Sequence, residues 1–137
     1  MIHSGLLFAG ANNAWNGESV PEGIDDGILT ADEISRLDLD RTKLVVLSAC
    51  DTALGSISAE GVYGIQRALK QAGVGEILMS LWKVDDEATK ILMTKFYQLL
   101  LDGYSSREAL KGAQLFLASK GGEFSAPIYW GAFEIMD

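Results

Sequence analysis

Residues 43–55 read KLVVLSACDTALG, and the fold turns on this stretch. Lys43 to Leu47 is a leucine- and valine-rich run without polar alternation, the pattern of a strand covered on both faces. The small residues Ser48 and Ala49 carry it to Cys50 and Asp51. A strand buried on both faces belongs to a sheet flanked by helices, and such sheets bind ligands in the crevice beyond the carboxyl ends of their strands. Cys50 stands there, and Thr52, Ala53 and Gly55 leave room for a substrate to approach the sulfur. From position alone the competing reading, a small hydrophobe packed beneath the following loop, stays open.

Downstream, Val62, Ile65, Leu69 and Ala72 fall at helical spacing and predict a helix over 60–72 that stops at Gly73. Glu76 to Trp82 (EILMSLW) reads as a second buried strand. Asp85 and Asp86 then cap a helix whose core stripe is Ala88, Leu92, Phe96 and Leu99. Ser105 and Glu108 form a capping box that opens a further helix to about Ser119, ended by Gly121 and Gly122. Ile128 to Met136 (IYWGAFEIM), aromatic and β-branched, predicts a last strand. The succession predicts an α/β fold with a mostly parallel sheet and flanking helices. Its strand ends gather Cys50, Asp51, Lys83, Asp85 and Asp86 along one edge.

The first forty residues differ in character. Ser4 to Ala9 is a short strand candidate, Ala11 to Asp26 is polar, and Gly27-Ile28-Leu29 is a returning hairpin arm. Thr30 to Glu33 then opens a short helix by a capping box. We expect an N-terminal hairpin appendage on a single domain over residues 1–137, because no repeat or low-complexity tract divides the chain.

With 137 residues, 48% of them hydrophobic, the chain is sized for one core. Its 11 basic and 19 acidic side chains leave a charge of −8, with the basic ones scattered along the sequence, which argues against nucleic acid and favours a cationic partner or substrate. One cysteine allows no internal disulfide and suits a reducing, cytoplasmic compartment. No apolar run has the length of a membrane span, so no membrane role is expected. A single His and a single Cys make no metal set, and no cofactor is expected. A phosphoacceptor site built on Asp51 and Lys83 would want a further acidic cluster near the first strand, whereas Asp25 and Asp26 lie in the hairpin region.

Residues 44–55 (LVVLSACDTALG) resemble the nucleophile motif of CHAT domains, caspase-like modules often found carboxyl-terminal to tetratricopeptide repeats in bacteria. The likeness continues, in the family's order, through SGLLFAGA (4–11), DGILTADEI (26–34), EGV (60–62), MSLWKVDD (79–86) and YWGAF (129–133), covering essentially the whole chain. The resemblance implies a caspase-like cysteine endopeptidase with Cys50 as nucleophile, acting on a protein or peptide substrate, with backbone amides stabilising the oxyanion. The family's catalytic histidine lies in a His-Gly motif upstream of the block that begins here at Ser4. His3, the single histidine, is followed by Ser4 and does not match that motif. The expectation is therefore a C-terminal portion of the family fold, its first strand or strands missing, inactive alone. A non-enzymatic interaction module, a pseudo-peptidase, is the alternative.

Asp51, Asp85 and Asp86 are read as a substrate pocket for a basic side chain, set against the plainer reading in which the last two only cap a helix. Lys83 is the nearest cation to offset their effect on the thiol. Trp82 and Trp130 are read as packing residues, while Trp15, in the polar segment, is open to two readings, covering a groove or partner or folding onto its own domain. A sheet lacking a strand would bare an edge, which predicts self-association or a complementing chain.

Overall fold

The computed structural model describes residues 5–9, 11, 14, 16–23, 25–47 and 59–137. Five strands are present among them: β1 (Gly5–Leu7), β2 (Ile28–Thr30), β3 (Leu44–Leu47), β4 (Glu76–Ser80) and β5 (Phe133–Met136). The helices are α1 (Ala31–Ser35), α2 (Ala59–Gln71), α3 (Asp86–Leu101), α4 (Ser106–Ser119) and α5 (Pro127–Trp130), with a 3-10 turn at Glu123–Ser125. They form two compact units, one of residues 1–43 and 52–75, the other of 44–51 and 76–137.

In the first unit β1 and β2 pair antiparallel, Leu6 opposite Leu29, as the hairpin reading expects. The Asp26 carboxylate accepts the Ile28 amide at 2.9 Å and sets the turn into β2. Thr30 caps α1 by the predicted box, its hydroxyl accepting from Glu33 N while the Glu33 carboxylate accepts from Thr30 N at 2.8 Å. Helices α1 and α2 pack on each other, and Ile34, Ala68, Leu69, Ala72 and Val74 are buried. Gly73 ends α2 in the left-handed region at φ +104°, where a Cβ would stand 2.9 Å from Asp40 Cα. The same corner is tied by Leu39 N donating to Ala72 O at 2.8 Å and Gly75 N to Thr42 O at 3.0 Å.

In the second unit the sheet order is β3-β4-β5. β3 and β4 are parallel, and β4 is buried from Ile77 to Ser80, the double-sided burial that its apolar run predicts. Helices α3 and α4 cover one face, where Ala88, Leu92, Phe96, Ala109, Ala113 and Leu117 join Leu78 and Ile135 in one cluster. Leu44 and Val46 pack against it from β3.

Two expectations are corrected at the carboxyl end. Residues 128–136 are not one strand: Pro127–Trp130 is a helical turn and β5 begins at Phe133. Pro127 at its first position lacks the amide that would go unpaired there and has the helical φ already set. Among the described residues the sheet is also mixed rather than mostly parallel, since β5 runs antiparallel to β4, Phe133 opposite Ser80. The chain reaches β5 at the end where β4 finishes, so it can only run back along it.

Candidate functional site

The parallel register defines the edge that the sequence reading singles out. Leu47 stands opposite Met79, so the chain leaves β3 and β4 at the same end of the sheet. Cys50 and Asp51 follow β3 but lie outside the described residues, as do His3 and Trp15. The described part of the edge is built by the exit of β4 and the approach to β5.

Leu81 N donates to Ala132 O at 2.8 Å and extends the ladder one step beyond β4. Trp82 then turns outward: its indole N–H donates to Ile128 O at 3.0 Å, yet the side chain stays 41% exposed. Leu81 and Ile128 are exposed too. Trp130, half-buried against the core cluster, donates its indole N–H to Ser125 O at 3.0 Å, as a packing residue should. The Gln114 amide donates to Trp130 O at 3.0 Å and Phe133 O at 3.1 Å, fixing the path into β5.

The acidic residues divide by role. Asp85 is the N-cap of α3: its Oδ1 accepts from Glu87 N at 2.9 Å and Ala88 N at 3.1 Å, satisfying amides that have no partner within the helix. Asp86 is exposed in the first turn, where the helix dipole favours a carboxylate. Lys83 is exposed and in no ion pair among the described residues. Thus Asp85 serves the helix directly, whereas Asp86 and Lys83 face solvent.

Three residues at this edge escaped the sequence reading. The Tyr129 hydroxyl donates to Glu123 Oε1 at 3.3 Å, and Ile128 offers the carbonyl that anchors Trp82. Desolvation raises the Tyr129 phenol above its ordinary value, helped by the charge and hydrogen bond of Glu123 and by the charge of Asp85. That influence of Asp85 brings α5 and the loop before α3 into one electrostatic neighbourhood. Reading 128–130 as strand hid this; Pro127 followed by Gly131 was the available signal.

An α/β sheet with acidic and exposed apolar side chains gathered beyond its strand ends, next in sequence to a cysteine-bearing motif, defines the class. The chain belongs to the CHAT domain family, whose model matches residues 2–137. It is similar to human tetratricopeptide repeat protein 28, with 32% identity over 127 residues, covering 91% of this chain and 5% of that protein. Mouse tetratricopeptide repeat protein 28 is 34% identical over 109 residues, covering 80% of this chain and 4% of the relative. The chain therefore spans about one-twentieth of the length of these relatives, which are mammalian rather than bacterial. No helix among the described residues is long and apolar enough to cross a membrane.

Proposed function

We propose that this CHAT domain is a cysteine endopeptidase module of caspase-like architecture, with Cys50 as its nucleophile. The supporting observation is the register of β3 on β4. Leu47 and Met79 are the last residues paired between the two strands, and Cys50 follows three residues after the first as Trp82 follows three after the second, so the two segments leave the sheet from the same end. In the proposed reaction the Cys50 thiolate attacks the scissile carbonyl, an amine leaves with a proton, and water releases the acyl group from sulfur. The substrate is a protein or peptide cut after a basic residue. Asp86 and Asp51 are the better candidates to pair with that residue, because the Asp85 carboxylate already accepts two helix amides. A free thiol suits a cytoplasmic site of action.

The reaction needs a base for the thiol and an acid for the leaving amine. His3 is the single histidine, and Ser4 follows it where the family's motif has Gly. An unassisted cysteine is only a few per cent thiolate at neutral pH, so the 137 residues alone are expected to cleave peptides very slowly. A histidine donated by a second copy or another chain would complete the site. The same observation supports the alternative of a non-catalytic interaction module.

A peptide acyloxymethyl ketone ending in Arg, applied to the chain and to Cys50→Ala, tests the proposal. Saturable labelling of Cys50, faster than that of a small free thiol and faster for Arg than for Leu at the reactive end, is the result expected of a peptidase site. Labelling at the free-thiol rate with no preference for Arg would show that the 137-residue chain by itself has no competent peptidase site and would leave it, in this form, the role of an interaction module.

A further inference from the structure

A groove of about 350 Å³ runs between α3 and α4, lined by Glu87, Lys90, Ile91, Lys95, Phe116 and Lys120, together with two polar side chains. That volume is within the range of sites that hold ligands or peptide side chains. In a chain with 19 acidic and 11 basic residues, three lysines converge here on a single carboxylate. Two of them share one ring: the Lys95 and Lys120 ammonium groups stand 5.1 and 5.7 Å from the Phe116 centroid. Attraction to the ring face holds each, while their like charges repel. None of the three is in an ion pair among the described residues, where Arg36–Asp32 and Arg107–Asp137 are the pairs formed. Phe116 itself stays 39% exposed, and Ile91 adds an apolar wall.

We infer that this groove docks an acidic peptide segment of a protein partner, its carboxylates on Lys90, Lys95 and Lys120 and an apolar side chain on Phe116 and Ile91. Charge complementarity selects the occupant, because the three lysines that line the groove are in no ion pair among the described residues and an acidic segment supplies counter-charge to them. A short acidic segment carries two or three charges on one side, matched to three lysines. A nucleic-acid strand brings a continuous line of phosphates, which three lysines in one short groove cannot match along its length. The inference does not depend on Cys50 or on peptidase activity.

Fluorescence anisotropy of a short fluorescein-labelled peptide, with Asp-Glu pairs flanking a central Leu-Phe, tests it on the 137-residue chain. Saturable binding is expected that weakens as salt rises and is absent for the same peptide with Asn and Gln in place of its acids. The double variant Lys95→Gln/Lys120→Gln should bind roughly fivefold more weakly, as expected for two exposed charge contacts. Its thermal midpoint, unchanged from the parent's, would show the variant folded. The inference is overturned by an absence of saturable binding, by equal affinity in the double variant, or by an oligothymidylate that displaces the peptide better than unlabelled peptide does.

Discussion

Tyr129 joins the two halves of the strand-end edge, since its hydroxyl donates to Glu123 while Asp85 raises the same phenol from the loop before α3. Desolvation is the largest of the influences on it, with Glu123 next. Both favour the neutral phenol in the folded state, so its stabilising effect is intact below the ordinary value of about 10 and is lost as pH rises through the higher folded value. Glu123→Gln removes the neighbouring charge but leaves the burial, so the Tyr129 titration should fall only part of the way back to 10.0. Phenolate absorbance, with a Tyr129→Phe chain subtracted to isolate this residue among the four tyrosines, measures it. A complete return would mean that neither burial nor Asp85 has a part; no movement would remove Glu123 from the account. At this scale sequence reading finds groups whose role is local. Gly73 is legible because a helix stop needs a left-handed residue, and Thr30 and Ser105 because a hydroxyl three places before a carboxylate closes a box on itself. Tyr129, and the lysines around Phe116, acquire their surroundings from residues distant along the chain.

At the scale of elements, Asp85 decides between two uses of one carboxylate. If it chiefly caps α3, Asp85→Ala leaves Glu87 N and Ala88 N without their partner and costs about 1 kcal/mol of stability, while Asp85→Asn, which keeps an acceptor oxygen, costs far less. Urea unfolding of both variants reads this. Equal losses for Ala and Asn would show that the charge matters more than the cap. Helix α3 was legible over its whole length, since Ala88, Leu92 and Phe96 recur at helical spacing and are each fully buried. The carboxyl-terminal segment was not. Ile128, Tyr129 and Trp130 have the side chains of a strand, but Pro127 and Gly131 make them a turn of helix, and Ile128 is left exposed rather than buried in a sheet. Strand direction was illegible for another reason. Nothing in FEIM distinguishes parallel from antiparallel entry; that follows from where α5 leaves the chain.

On the scale of the molecule, the two compact units are interleaved along the chain. The second takes residues 44–51 from the middle of the first and then everything from Glu76 onward. A fragment of residues 76–137 keeps α3, α4, α5, β4 and β5 but has no β3, so β4 loses its parallel partner along Glu76 to Met79. Leu44 and Val46 also leave the core cluster. Full burial of an aliphatic side chain of that size contributes roughly 1.5–3 kcal/mol, of which these half-buried ones contribute a part, and small domains are stable by only about 5–15 kcal/mol in total. The unpaired amides and carbonyls of β4 add a further deficit. Such a fragment should therefore show helical circular dichroism without a cooperative urea transition, and adding a peptide of residues 43–51 should restore part of the cooperativity. If the fragment unfolds cooperatively by itself, with a midpoint equal to that of the whole chain, β3 is dispensable to the unit. The proposed site would then be uncoupled from the fold, since Cys50 is three residues beyond that strand. Dependence on β3 would make delivery of the cysteine and completion of the second unit the same structural event.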